Sequence, residues 1–362
     1  MNQVKWGVMG TAYIFERDTA RGMSLADNCE LTAIAGRTLE KAEAFKEKYG
    51  FQRAYGSYME LLEDPEIEAV YIALPNTLHY EWTIQALKHG KHVLCEKPLR
   101  PTGQQAREMF QTAKENNVLL MEAFAYQHSP YIKEICELVQ KGAIGSVRYV
   151  EAALITSDYD RSNIRMRKGT CGGSTYDVGV YALSFVQRML GRKPEKLHAI
   201  SSISQEGIDM YTSAIMEYGD GLKAHIDCGM VLATEKNQAL DRFQIHGTEG
   251  CITSEVFGFN VPGELTYRVH MFNGEDKVKT VQVPNNYCLE VEQFGRCIKN
   301  GEVPYLTEKF SVDMADTVDE ILKQSDYKRT DTTPLVIQSG YDIRKNAEKL
   351  QKYYLKLYRE TE

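Results

Sequence analysis

Lys97 stands in the run Cys95-Glu96-Lys97-Pro98, directly after a short apolar segment. A lysine at the carboxyl end of a central strand can polarise a carbonyl or shuttle a proton. The proline that follows invites a cis peptide, which would aim the lysine side chain inward. The competing reading is a lysine that is merely solvated at a strand end. Further along, Asp177 and Tyr181 lie four apart behind Gly172-Gly173-Ser174-Thr175. That spacing puts both on one face of a helix opened by a glycine-rich turn. An acid and a phenol so placed can share proton work with Lys97. Alone, the pair is equally an acid complementing a helix dipole and a tyrosine in a core. Asn163 and Arg165, just upstream, are polar groups placed to help seat a substrate.

A second set of residues suits a nucleotide. The turn Gly7-Val8-Met9-Gly10-Thr11-Ala12-Tyr13-Ile14 follows the first apolar run. Small residues there let backbone N–H groups approach a pyrophosphate, with Gly10, Thr11, Ala12 and Ile14 as the contacts. The match to the dinucleotide fingerprint is imperfect, since Ala12 and Phe15 occupy fingerprint positions, and a plain strand–turn–helix explains the segment too. At the end of the second strand, Ala35-Gly36-Arg37-Thr38-Leu39-Glu40-Lys41 lacks the Asp or Glu that holds the ribose hydroxyls of NAD. Arg37 can pair with a 2′-phosphate and stack on adenine, and Lys41 adds a charge one turn on. NADP(H) is thus expected rather than NAD(H), against the alternative of a solvated arginine at a helix start. Leu74, Pro75, Asn76 and His79 fall at a carboxyl edge where such sheets bind ligands. Asn76 and Thr77 also suit helix capping, and His79 suits a helix surface. The pair His89 and His92 spans a helix end and a strand start, and reads as surface rather than metal site.

Two kinds of element are needed to hold these groups. Through residue 125, the apolar runs Val4 to Met9, Leu31 to Ala35, Ala69 to Leu74, His92 to Cys95 and Val118 to Met121 read as buried strands. Amphipathic stretches at 38–49, 57–63, 78–89 and 102–116 alternate with them. Ser57 with Glu60 makes a capping box, and Gly50 and Gly90 stop helices. The alternation predicts a doubly wound parallel sheet with right-handed crossovers. After it come a helix near 130–140, a strand near 147–156, an Arg- and Gly-rich loop and a helix near 176–190. Alternating segments at 196–204, 211–218, 222–230, 241–247, 265–271 and 277–283 follow, with a hairpin turn at Tyr218-Gly219-Asp220-Gly221. They predict a large open, mainly antiparallel sheet with helices on one face. Helices near 288–299, 309–324 and 336–359 close the chain. The expected architecture is α/β: a Rossmann domain over 1–125, then an α+β domain over 126–362 for substrate binding and dimerisation.

Composition narrows the class. At 362 residues the chain suits two domains, each with its own core. A formal charge of -7 argues against nucleic acid as the main partner. The eight cysteines are scattered without a Cys-x-x-Cys pair, which fits reduced thiols and no metal site. No signal peptide and no apolar run long enough for a bilayer are read in the sequence. A cytoplasmic protein with no membrane partner is expected.

Together these residues resemble the glucose–fructose oxidoreductase/inositol dehydrogenase (Gfo/Idh/MocA) family. The resemblance runs from Val4 to about Ser325. It is carried by Trp6-Gly7 through Ile14, Leu39-Glu40-Lys41-Ala42, Leu74-Pro75-Asn76, His79, Gly90 through Pro98, Met121-Glu122-Ala123-Phe124, Gly172 through Tyr181, and His246-Gly247-Thr248-Glu249-Gly250. Glu-Lys-Pro followed at a distance by Asp-x-x-x-Tyr is the specific combination. The resemblance implies hydride transfer at a sugar, cyclitol or related carbinol carbon, and a homodimer or higher oligomer formed through the second sheet. It matches Lys97 to the family's catalytic lysine and Asp177 to its partner, with Glu96 and Lys97 beside the cofactor. Tyr181 stands where inositol dehydrogenase-like members carry His, as in the dihydrodiol dehydrogenase, NADP-dependent pentose dehydrogenase and glucose–fructose oxidoreductase branches. Ala12 departs from the usual glycine, and Gln127 and Ser129 depart from a basic residue and a His. Lys97, Asn163, Arg165, Asp177 and Tyr181 are the expected substrate contacts. The alternatives are a sugar-nucleotide ketoreductase and a non-catalytic NAD(P)-sensing protein.

Overall fold

The computed structural model describes residues 3–99, 102–157, 160, 162–232, 240–254, 262–325 and 327. The helix expected at 336–359 lies outside the described residues.

Six strands form the first sheet: β1 (Val4–Met9), β2 (Cys29–Ala35), β3 (Arg53–Tyr55), β4 (Ala69–Ile72), β5 (His92–Glu96) and β6 (Leu120–Ala123). Their order is β3-β2-β1-β4-β5-β6, and every pair is parallel. The sequence dictates burial on both faces. Val4, Trp6 and Val8 belong to one core and Met9 to the other, as do Tyr71 and Leu94 against Val70, Ile72, Val93 and Cys95. This is the two-residue alternation of a strand read through a sheet that helices cover on both sides. The order reverses between β1 and β4, so the crevice of a doubly wound sheet opens above their carboxyl ends.

The helices of this half are α1 (Ala20–Leu25), α2 (Leu39–Tyr49), α3 (Tyr58–Glu63), α4 (His79–Lys88) and α5 (Gly103–Glu115). Side chains cap three of them: Thr38 accepts from Lys41 N–H, Ser57 from Met59 N–H and Thr102 from Gln105 N–H. Ser57 thus caps at the second helical residue instead of through the bond expected with Glu60. Gly50, at φ +78°, ends α2 in the left-handed region. Strand β3 and helix α1 had no strong periodic signal. The first is three residues long, and the second opens with a π-helical turn at Phe15–Thr19.

The second half begins with α6 (Pro130–Gln140) and β7 (Val147–Ser157), and continues with α7 (Val180–Leu190). Strands β8 (Lys196–Ile203), β9 (Asp209–Glu217), β10 (Lys223–Leu232), β11 (Leu240–Gly247), β12 (Gly250–Ser254), β13 (Gly263–Met271) and β14 (Asp276–Val283) complete an eight-stranded sheet. Its order is β14-β13-β12-β11-β7-β10-β9-β8, antiparallel except where β7 meets β10. The five-residue β12 went unread because it follows β11 across a tight turn. Helix α7 packs on β7 and β10, and its Phe185 ring meets Phe243 of β11 with ring centres 4.5 Å apart. Two last helices, α8 (Asn286–Asn300) and α9 (Glu308–Gln324), return to the first half. Helix α8 lies on α1 so closely that a Cβ on Gly22 would fall 2.4 Å from Tyr287 Cβ, and α9 packs on α5. No helix among the described residues is long and apolar enough to cross a membrane.

Candidate active site

Lys97 directly follows β5 and enters a cis Lys97–Pro98 bond. Its side chain, only 12% exposed, donates from Nζ to the Asp177 carbonyl at 2.7 Å and lies 3.6 Å from Asp177 Oδ1. The same nitrogen sits 4.5 Å from the centre of the Tyr181 ring. Residues eighty positions apart in the chain thus converge where the carboxyl edge of the first sheet meets α7. Arg165 Nε lies 2.7 Å from Asp177 Oδ1, so one carboxylate stands between two cations. Burial pushes the Lys97 ammonium below the ordinary lysine range, Asp177 pulls it back up, and Arg165 pushes it further down.

The segment bearing Asp177 is shaped from below. Asp177 lies in a π-helical turn, Thr175–Gly179, that precedes α7. The expected single α-helix is therefore widened where the acid sits, a device common at functional sites. A buried carboxylate holds this turn: Asp209 accepts from Thr175 N–H at 2.7 Å, Thr175 Oγ1 at 2.7 Å and Ser174 Oγ at 2.8 Å. Burial raises the Asp209 carboxyl above its usual range, and the bonds it accepts pull the other way. Gly173, at φ +116°, is required here, because a Cβ would fall 2.0 Å from Asp209 Oδ1. Asp209 carries no motif and escaped sequence reading. So did the aromatic support of Tyr181, whose ring lies 5.9 Å from Phe124 and 5.7 Å from Tyr126. Tyr126 Oη is also 3.3 Å from the Tyr181 carbonyl.

Gln127 explains that support. Its amide donates to Tyr126 Oη at 2.6 Å and to the Ser184 carbonyl at 3.2 Å, and accepts from Arg188 Nε at 2.9 Å. Gln127 and Ser129, two departures from the family pattern, are fully buried. Gln127 braces the region behind Tyr181 through Tyr126 and Ser184, and neither side chain faces solvent.

On the nucleotide side, Gly10 has φ +112° and donates its N–H to the Ala35 carbonyl at 2.9 Å. A Cβ there would fall 2.4 Å from the Ala73 carbonyl, so only glycine lets the loops after β1 and β4 approach this closely. Thr11, Ala12 and Ile14 are half-buried around it. Gly36 is buried, while Arg37, Thr38 and Lys41 beyond it are exposed. Among the described residues neither Arg37 nor Lys41 takes part in an ion pair. Two cations beside a glycine-shaped turn, with no acid at the end of β2 itself, fit the 2′-phosphate of NADP(H).

The Leu74–His79 segment departs from expectation in detail. Pro75, not Asn76 or Thr77, holds the N-cap of the turn Asn76–Leu78. Asn76 Nδ2 donates to the Cys171 carbonyl at 3.2 Å, tying the two halves together. His79 is not a surface histidine but is fully buried. Its ring nitrogens lie 2.9 Å from the Pro98 carbonyl and 2.7 Å from the Leu74 carbonyl. With no exposed atom to offer a ligand, it acts on the cofactor site by pinning the loops after β4 and β5. Glu96 is also buried; it accepts from Tyr71 Oη and, at 3.2 Å, from Lys97 N–H. Asn163 spends its side-chain oxygen on Arg165 N–H at 3.0 Å, which positions the arginine. His89 and His92 are occupied separately: His89 Nδ1 lies 2.7 Å from the Gln85 carbonyl, and His92 Nδ1 accepts from Leu119 N–H at 3.0 Å.

Comparison with known proteins agrees with this geometry. Residues 4–124 match an oxidoreductase family with an NAD-binding Rossmann fold, and residues 132–253 match the GFO/IDH/MocA C-terminal domain. The chain is 33% identical to D-xylose 1-dehydrogenase (NADP(+)) 2 of Haloferax volcanii, over 89% of this chain and 97% of that protein. It is 32% identical to trans-1,2-dihydrobenzene-1,2-diol dehydrogenase of Xenopus laevis, over 88% and 97%. Among solved structures, a 3-ketoreductase from Actinomadura kijaniata in complex with NADP and TDP-benzene superposes with a TM-score of 0.80. It shares 27% identity, with 90% of this chain and 98% of that one covered.

Proposed function

Since the chain belongs to the GFO/IDH/MocA oxidoreductase family, we propose that it transfers a hydride between NADP(H) and a secondary alcohol or ketone of a sugar, cyclitol or related polyol. One observation carries the reading: Lys97 Nζ, Asp177 and Tyr181 meet at the carboxyl edge of the dinucleotide-type sheet. Gly10, Thr11, Ala12 and Ile14 would hold the pyrophosphate, and Arg37, Thr38 and Lys41 the adenosine phosphate. Leu74, Pro75, Asn76, Glu96 and Lys97 would line the approach to the reacting end. Bound nicotinamide supplies or accepts the hydride. Everything else is the work of side chains. Tyr181 Oη and Lys97 Nζ hand the hydroxyl proton on. Asp177 fixes the ammonium by its carbonyl and carboxylate, and Arg165 tunes that carboxylate while its remaining N–H groups help seat the substrate.

The names of the relatives support a sugar-like or diol substrate. The likeness to a 3-ketoreductase favours a sugar-nucleotide ketoreductase as second reading. A cofactor sensor would need only the first sheet's crevice, not Asp177 and Tyr181 beneath a buried lysine. We also retain the division near residue 125, and association of two copies through the face of the second sheet that the helices leave open. Ile200 and Ile215 are 80% and 51% exposed on β8 and β9, and sedimentation as a monomer at micromolar concentration would withdraw that association.

A panel of free pentoses, hexoses, cyclitols, diols and sugar nucleotides, followed by NADPH absorbance, tests the function. Turnover is expected with free sugars or diols, and turnover of sugar nucleotides alone would select the second reading. In the same assay Arg37→Ala should weaken NADPH by about one to two orders of magnitude and spare NADH. Equal effects on both cofactors would show that Arg37 does not read the phosphate.

A further inference from the structure

The C-terminal end of α7 and the start of α9 border an open cavity of about 200 Å³, at the opposite end of α7 from Asp177. Gln140, Gln187, Arg188, Tyr305, Thr307 and Lys309 line it. Its charge is unusual. Arg188 lies over the Tyr305 ring at 4.1 Å and the Phe310 ring at 5.2 Å, so both aromatic faces press on one guanidinium. Its Nε donates to Gln127, but Nη2 is buried and has no hydrogen-bond partner among the described residues. No carboxylate pairs with Arg188 among the described residues. Of the acids on the lining helix, Asp313 is taken by Lys309 at 2.5 Å and Gln187 at 3.3 Å, and Glu308 by Lys114 at 2.6 Å. Arg188 is only partly exposed, and a half-buried cation without a counter-charge is stabilised by a bound anion.

Two further features suit an anion. Thr307 caps the seventeen-residue α9 by accepting from Phe310 N–H at 3.3 Å. The first-turn N–H groups beside it have no intrahelical acceptor and point out of the helix start. Lys309 sits at the rim, its side chain 67% exposed, able to swing between Asp313 and an occupant.

We propose that this cavity binds a phosphate group, either inorganic phosphate or the phosphoryl end of a small metabolite, with Arg188, Lys309 and the start of α9 as its donors. The site is separate from the nucleotide crevice and independent of the reaction proposed above. Isothermal titration of the full chain with inorganic phosphate, at constant ionic strength and with NADPH saturating so that the adenosine phosphate site is filled, tests it. One site per chain is expected. Arg188→Met should weaken it about tenfold or more, and Lys309→Met by a smaller factor, as loss of charge-assisted bonds requires. Lys309 is exposed, so the second variant reports even if the first disturbs the packing on Tyr305. Glycerol 2-phosphate binding as well as phosphate would assign the site to phosphorylated metabolites, and binding of phosphate alone to the free anion. No heat with either, or binding unchanged in both variants, would overturn the proposal.

Discussion

Asp177 balances two cations, and this fixes how the Lys97 proton should respond to pH. Burial lowers the lysine, Arg165 lowers it further, and Asp177 opposes both. In the proposed alcohol oxidation Lys97 accepts the proton, so turnover in that direction should rise with pH through an apparent value below lysine's ordinary 10.5. Removing Arg165 takes away one downward push and leaves Asp177 free to pull harder on the lysine. Both changes have the same sign. Arg165→Met should therefore move the rising limb of the kcat–pH profile for oxidation to higher pH. A raised KM with the kcat profile unmoved would confine Arg165 to seating the substrate. Lys97, Asp177 and Tyr181 were legible because their spacing and the Glu96-Lys97-Pro98 run carry chemistry in themselves. The burial of His79 is not legible, because helical position does not reveal it and its partners at Leu74 and Pro98 come from two loops.

At the level of elements, the approach of Gly173 to Asp209 shows how a distant strand sets the active-site turn. Asp209 opens β9, yet its carboxylate gathers the N–H of Thr175 and the hydroxyls of Ser174 and Thr175 ahead of α7. Gly173→Ala would place a methyl on that carboxylate in a left-handed backbone conformation. The expected cost is about 2–4 kcal/mol of stability, with turnover falling more than NADPH affinity, since the turn carries Asp177 and not the cofactor loops. Thermal unfolding and steady-state kinetics of the variant check this. A stable, fully active variant would show that Asp209 does not govern the turn. The helices and most strands could be read from the sequence because apolar period and caps are local signals. The π-helical turns at Phe15–Thr19 and Thr175–Gly179 could not. They widen a helix by one residue, in answer to packing from α8 and β9 that has no local trace.

For the molecule as a whole, the two sheets are joined by the elements that also build the site. Asn76 reaches the Cys171 carbonyl, α8 lies on α1, α9 lies on α5, and Lys97 bridges to Asp177. A linear reading placed the sheets in succession; the return of α8 and α9 to the first half was not visible in it, because helix faces alone do not say which sheet they cover. The same junction makes the central claim testable, since the proposed proton transfer draws on one residue from the first half and two from the second. The direct measurement is turnover of Lys97→Met, Tyr181→Phe and the double variant on the substrate the panel selects, with NADPH affinity determined alongside. Each single change should lower kcat by about two to four orders of magnitude. The double should be little worse than the poorer single, because groups serving one proton are not additive, and Tyr181→Phe should leave NADPH affinity unchanged. Near-normal turnover of Tyr181→Phe, or losses that multiply in the double variant, would contradict a shared proton-transfer unit across the two halves.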